Sequence, residues 1–458
     1  MRIVRGTERI PMRLALAALG ALSAGLLPAV RAADAPLTEA YLHVPMPPHF
    51  RVVSTELDGP VFADARGRTL YSWPFRVMRV GNTGDSKGQS HCTDAKTTVS
   101  SGYMSPYPGG LELPDLATRP SCVQMWAPAL AAAGSKPVGK WTIAKRKDGT
   151  QQWAFDGLPL YTSVRDRQPG DVLGGTSDEH EGDEPAVRRP VGPPPDLPPG
   201  FRVSTTVAGR LLENERSFSV YVSDADSAGK SNCDAACAQT WVPMLAPASV
   251  RPHGAWTIIE RSPGYRQWAF RGKPLYRYAL DSRARSLEGS DVPGWHNVYT
   301  QRAPAPPAEF TVQDTTAGQV LADAHGMTLY SYTCGDDALD QLECDHPSDT
   351  QVYRLAMCGG GDAVRCLHTF PYVIAAPGAR SGNRSWSVID IDPKTGQRAK
   401  SAQPDALHVW AFRDRPIYVY AGDDRPGDVN GDGHGEFRGE RNGYNAFWLR
   451  DDYFGRGG

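Results

Sequence analysis

One aromatic pattern occurs three times in this chain: WAFDGLPLY from Trp153 to Tyr161, WAFRGKPLY from Trp268 to Tyr276, and WAFRDRPIY from Trp410 to Tyr418. Self-similarity at long period means that one supersecondary unit has been copied, so whatever fold the unit adopts must be adopted three times. The flanks keep step with it. A second tryptophan stands upstream in a run of β-formers, Trp141 in WTIAKR, Trp256 in WTIIER and Trp386 in WSVIDI, at intervals of 12, 12 and 24 residues. The third copy therefore carries an insertion. Farther upstream a cysteine precedes an aromatic ring by four residues: Cys122 and Trp126, Cys237 and Trp241, Cys366 and Phe370. Earlier still, FADARGRTLY ends at Tyr71, LENERSFSVY at Tyr221 and LADAHGMTLY at Tyr330.

The 458 residues leave room for about three domains at roughly 150 residues each. Pro185, Pro190, Pro193, Pro194, Pro195, Pro198 and Pro199 make 181–199 an extended linker, and a shorter joint, QRAPAPPAE, precedes Phe310. Repeat domains are expected at 48–180, 200–300 and 308–452, the last with insertions. The turn KDGT between WTIAKR and QQWAF supplies the Asp-Gly pair a tight hairpin needs, and Gly157, Gly272, Pro159 and Pro274 mark the next reversal. CVQMW and CAQTW read as short helical turns. The fold class is mainly β: three tandem repeats of a small β-hairpin/meander domain joined by Pro-rich linkers. A closed propeller-like β array built from half-repeats is the alternative, against which the Pro-rich linkers argue.

The N-terminus reads as an export signal over residues 1–32: a basic start, a short apolar run, and Val30 and Ala32 placed for cleavage. Met12, directly before the apolar run, is a second candidate start beside Met1. Losing this segment removes five basic side chains against one acidic, leaving a mildly acidic mature chain. No lipid anchor is expected at the new N-terminus, because no cysteine stands at the junction, and no later stretch is long and apolar enough to span a membrane. A formal net charge of −2 offers no field for nucleic acid or anionic lipid. The chain is expected in the periplasm or secreted.

All eight cysteines lie beyond the signal, and an even count in an exported chain reads as disulfides. Cys92 is expected to bridge to Cys122 and Cys233 to Cys237. Three pairings are open to the four cysteines of the third copy, of which Cys334–Cys344 with Cys358–Cys366 is the expectation. Each bridge should stabilise by about 2–4 kcal/mol. The Cys233 and Cys237 spacing is neither a c-type haem attachment motif nor a supported zinc pair. In the third copy Asp428, Asn430, Asp432, His434 and Glu436 match the opening of an Asp-x-Asn-x-Asp-Gly calcium loop. The match breaks at position twelve, which is Gly439 with Glu440 one place late; copy 1 has PGDVLGG there, so the loop is first a repeat turn. Calcium is the one cofactor candidate.

The tyrosines and aspartates of each copy give the chain its resemblance. It resembles the secreted-repeat family of bacterial envelope proteins, often predicted lipoproteins, described by a Tyr-x-(Phe/Trp/Tyr)-x-x-Asp signature and of obscure function. Tyr276, Tyr278 and Asp281 match in full, as do Tyr418, Tyr420 and Asp423. Tyr161 with Asp166 and Tyr221 with Asp226 match in part, having Ser163 and Ser223 at the middle position. Tyr71 with Trp73 and Tyr330 with Tyr332 keep the aromatics and lack the Asp. These residues read chiefly as a shared core, with a ligand platform for glycans or other envelope components as the other reading. The signature Asp reads also as a turn cap, since Asp166 and Asp423 precede the similar loops RQPGD and DRPGD.

No His-x-x-x-His or P-loop pattern is present, so the reading leans against an enzyme. The sequence points to an exported binding or scaffolding protein of the cell envelope, with an envelope protein or glycan as partner. The alternative is a periplasmic redox or electron-transfer accessory protein that docks with cytochromes and cycles the Cys233–Cys237 bridge.

Overall fold

A computed structural model describes residues 38–78, 81–95, 99–100, 111–112, 120–174, 188–262, 264–282, 286–334, 344–436 and 442–451. The expected export signal at 1–32 and positions 181–187 of the Pro-rich linker lie outside the described residues. The protein is mainly β, in antiparallel sheets of two to six strands, and among the described residues these close into no barrel. No helix of the described residues is long and apolar enough to cross a membrane.

Each copy is built on the repeated tryptophans. Trp141–Lys145 pairs with Gln151–Phe155, Trp256–Ser262 with Tyr265–Phe270, and Trp386–Ile391 with Leu407–Phe412. The register is common to all three, with Trp141 opposite Phe155, Trp256 opposite Phe270 and Trp386 opposite Phe412. The third copy's insertion therefore lengthens the turn and leaves the pairing alone. The next reversal takes two residues, both at positive φ: Asp156 and Gly157 (48° and 86°), Arg271 and Gly272 (50° and 79°), Arg413 and Asp414 (46° and 68°). A two-residue turn of this hand matches the twist of its strands. Asp at the second position in copy 3 is tolerated because its short polar side chain suits the left-handed region.

The strand delivered by that turn, Leu158–Ser163, Tyr276–Tyr278 or Arg415–Tyr418, pairs with one that begins at Tyr71, Tyr221 or Tyr330. Tyr161 faces Tyr71, Tyr276 faces Tyr221, and Tyr418 faces Tyr330. A closing strand, Arg189–Pro190, Trp295–Asn297 or Asn442–Ala446, lies on the far side of that partner. Successive side chains on a strand point to opposite faces, and each copy uses both. Leu160, Leu275 and Ile417 enter a core around the hairpin tryptophans, while Tyr161, Tyr276 and Tyr418 enter a second core around the disulfides. A slip of one residue would exchange the two sets, so the register is fixed by both faces at once.

The copies also touch one another. Glu39, ahead of the first repeat, takes Arg210 and Thr300 of the second, and Gln301 Nε2 donates to the carbonyls of Thr55 and Glu56. Arg165 and Arg167 of copy 1 pair with Asp349 and Asp414 of copy 3, each at 2.6 Å, and Arg413 reaches Asp58 at 3.2 Å. Leu57, Val207, Ala303 and Phe447, drawn from all three copies, share one apolar cluster.

Candidate functional site

The facing tyrosines are fully buried, and a buried phenol requires an acceptor. In copy 2 each finds it in the opposite half of the repeat. Tyr276 donates to Asp226 Oδ2 at 2.7 Å, five residues beyond Tyr221, while Tyr221 donates to Asp281 at 3.0 and 3.1 Å, five residues beyond Tyr276. Copy 1 repeats the exchange: Tyr71 donates to Asp166 at 3.0 and 3.1 Å, and Tyr161 to Asp85 at 2.6 Å. Copy 3 keeps half of it, Tyr330 to Asp423 at 2.7 Å. Its Tyr418 instead faces the buried guanidinium of Arg354, 5.8 Å from the ring centre.

Each aspartate also closes a loop, because its second task is to accept a backbone N–H. Asp85 takes His91 N at 2.6 Å and Asp226 takes Asn232 N at 2.6 Å; Asp166 takes Leu173 N at 3.0 Å and Asp423 takes Asn430 N at 2.8 Å. Copies 1 and 2 share a further element beneath the disulfide. Arg146 donates to the Cys92 carbonyl and to Gln152 Oε1, as Arg261 does to the Cys233 carbonyl and to Gln267 Oε1. Gln152 and Gln267 then donate to the carbonyls of Leu160 and Leu275.

Burial raises the Asp85 carboxyl to about 6 and the Asp281 carboxyl to about 7, in spite of the phenol and backbone donors that oppose it. Burial likewise pushes Tyr276 up to about 12. A carboxyl whose folded pKa lies above its unfolded value of roughly 4 holds a proton that the unfolded chain has already released. Its stabilising contribution is complete below pH 4 and is lost as pH rises through about 6 for Asp85 and 7 for Asp281. The melting temperature is expected to be higher at pH 5 than at pH 8, with Asp281→Asn narrowing the difference. A melting temperature that is flat between these pH values, or lower at pH 5, would contradict this assignment.

The signature residues are thus mostly interior. Tyr161, Tyr276 and Tyr418 are at most 1% exposed, and Asp166, Asp281 and Asp423 between 6% and 8%. Only Tyr278 and Tyr420 remain half-buried. They pack on the ring four residues beyond the shared cysteine, with centroids 4.5 Å apart for Tyr278 and Trp241 and 4.8 Å for Tyr420 and Phe370. A different residue in each copy covers the same ring, from the closing strand in copies 2 and 3 and from just ahead of it in copy 1. Trp295 stacks on Trp241 at 3.7 Å, Tyr444 stacks on Phe370 at 3.6 Å, and the Arg188 guanidinium lies 4.6 Å from Trp126. This landmark is invisible as a motif because Arg, Trp and Tyr share no pattern.

The cysteines form Cys92–Cys122, Cys233–Cys237, Cys334–Cys344 and Cys358–Cys366. Arg188 Nη2 stands 2.9 Å from Cys122 Sγ and Arg354 Nη1 stands 3.2 Å from Cys366 Sγ.

The acidic loop of copy 3 spends its side chains on the protein itself. Asp428 accepts the backbone N–H groups of Asp424 and Arg425, as Asp171 accepts those of Arg167 and Gln168 in copy 1. Asn430 donates to the Gly422 carbonyl, Asp432 accepts from Ala446 N and Trp448 Nε1, and Glu436 accepts from Asn442. The His434 ring packs 5.2 Å from that of Phe370. Among the described residues no group of three or more His, Cys, Asp or Glu stands where it could hold a metal ion. Gly439 and Glu440, where the loop would close, lie outside the described residues.

No curated protein and no solved structure matches the chain. A family described as a secreted repeat of unknown function matches residues 142–178, which run from the first hairpin through Tyr161 and Asp166 into the following loop. The match and the four disulfides both point to an exported protein. Over that stretch, copy 1 is similar to a secreted repeat.

Proposed function

We propose that this protein is an exported component of the cell envelope that binds or scaffolds a partner protein through the aromatic face of its second copy. The observation that carries the reading is the open stack of Trp241, Trp295 and Tyr278. Tyr444 is fully buried and Arg188 is 4% exposed at the positions that correspond to Trp295, whereas Trp295 is half-buried like Tyr278, and Leu280, two residues beyond Tyr278, is 66% exposed. Large rigid rings next to an exposed aliphatic are what protein interfaces use as anchors, since they bury area at little entropic cost. Leu280 favours a protein surface over a glycan, which would offer it hydroxyl groups.

The test is co-sedimentation of the full chain with envelope fractions and with protein-free cell-wall sacculi. Retention is expected in the protein-containing fraction, falling at least tenfold for Trp295→Ala and for Leu280→Asp while the near-ultraviolet circular dichroism is kept. Unchanged retention of both variants would remove this face as the docking surface. Retention by bare sacculi would assign a glycan instead.

A further inference from the structure

We propose that the Cys92–Cys122 bridge is a thiol–disulfide exchange site, attacked at Cys92 and opening to a thiolate on Cys122 beside Arg188. The proposal goes beyond the binding reading and does not depend on it.

Two observations support it from opposite ends of the bond. At one end, Cys92, itself 1% exposed, and Ser90 line the inner wall of a cavity of about 230 Å³, with Arg146 and Lys147 set against Asp94 and Asp148. These charges balance, so an incoming thiolate meets no net repulsion there. Arg146 also holds the Cys92 carbonyl at 3.2 Å and Ser90 Oγ at 3.2 Å, which fixes the attacked residue at the cavity wall. At the other end, Arg188 Nη2 lies 2.9 Å from Cys122 Sγ while its guanidinium stacks 4.1 Å from the Trp73 ring. A cation held against a sulfur lowers the pKa of the thiol that would form there, and a leaving thiolate of lower pKa departs faster.

Copy 3 makes the same contact by another route. Arg354, from the inserted helix Val352–Gly359, reaches Cys366, the sulfur that corresponds to Cys122. This arginine is 2% exposed. Its partners among the described residues are Gln351 Oε1, Cys366 Sγ, the Tyr444 hydroxyl and the faces of Tyr372 and Tyr418, with no carboxylate among them. A buried guanidinium without an anion is costly, and a Cys366 thiolate would supply the anion. Two arginines that share no sequence register thus reach corresponding sulfurs from different elements. Copy 2 differs: among the described contacts no guanidinium donates to Cys237 Sγ, the sulfur that corresponds to Cys122, and its Arg261 goes to the Cys233 carbonyl.

The reductant is a dithiol. One of its thiolates attacks Cys92 Sγ, the Cys92–Cys122 bond breaks, and the electron pair leaves on Cys122 Sγ next to Arg188. The second thiol of the same dithiol, deprotonated to solvent, then attacks its own sulfur in the mixed disulfide and releases Cys92 as a thiolate. The dithiol becomes a disulfide, and the protein gains two electrons.

The full chain is equilibrated in graded dithiothreitol, quenched, alkylated and mapped by mass. Cys92–Cys122 is expected to open at a reductant concentration at least tenfold below that for Cys334–Cys344 and below that for Cys233–Cys237. With glutathione, the adduct is expected on Cys92 and the free thiolate on Cys122, a distribution that a purely structural arginine would not set. Arg188→Met, which keeps the apolar packing on Trp73, is expected to close the tenfold gap, and Arg188→Lys to preserve most of it. Opening of Cys92–Cys122 together with or after either reference bridge overturns the proposal, as does an adduct on Cys122. An unchanged midpoint in folded Arg188→Met also overturns it; if that variant does not fold, the wild-type order and the adduct position decide.

Discussion

Replacing Asp345 with Ala is expected to lower the stability of the folded protein by about 3–5 kcal/mol. Asp345 Oδ2 accepts from Arg415 Nε at 2.8 Å, and the two side chains are 0% and 3% exposed. Truncating the acid takes a buried charged partner from Arg415 in a site with little water to screen the guanidinium, so part of the desolvation that Arg415 has incurred is no longer offset. The same arginine donates to the Leu173 carbonyl of copy 1 at 3.1 Å, so the damage reaches the contact between copies 1 and 3. The double variant Asp345→Ala, Arg415→Met is expected to recover part of the loss, because a buried pair replaced as a whole costs far less than one broken in half. Urea unfolding of the four proteins of this cycle measures the coupling. Equal destabilisation by the single and double variants would show that the pair contributes through shape and not charge.

Trp141→Ala is expected to cost about 3–5 kcal/mol as well, through a cavity rather than a charge. Trp141 is fully buried, with ring centroids of Phe50, Phe62 and Phe155 at 4.6, 5.0 and 5.4 Å. Phe50 lies just ahead of the strand Arg51–Ser54, while Phe62 and Phe155 sit on strands of two different sheets, so the three cannot all collapse into the space. Leu130→Ala makes the comparison fair: its side chain is 57% exposed in the same copy, and its removal is expected to stay within about 0.5 kcal/mol. Thermal melts distinguish the two, and a Trp141→Ala loss as small as that of Leu130→Ala would mean that the repeated tryptophans do not hold the copies together.

Local features were legible from the chain because they depend on near neighbours. The spacing from Trp141 to Trp153 and the Asp-Gly between them announce a hairpin, and Gly157 and Gly272 announce the next turn; the structure has strands and positive φ at those places. The helical turns at Cys122–Met125 and Cys237–Thr240 are equally local. The crossed tyrosine and aspartate pairs are different. Asp226 stands at signature spacing from Tyr221, which suggests that the two act together, yet it accepts from Tyr276. Asp85 stands 14 residues beyond Tyr71 and fits no spacing, so its role emerges only when Tyr161 is brought beside it. Proline-rich joints suggested loosely strung units, but charge pairs such as Arg167 with Asp414 follow no sequence period and join copies more than 200 residues apart.

The crossed pairs set the grain at which such a chain can grow or shrink. A fragment ending between Tyr221 and Tyr276 would keep Asp226 without its phenol and Tyr221 without Asp281. Half a module is therefore left with polar groups that nothing else in it can satisfy, whereas a whole one is self-sufficient at this seam. Gene duplication or loss should be tolerated in complete units, and a break point inside one should yield a product that proteases clear.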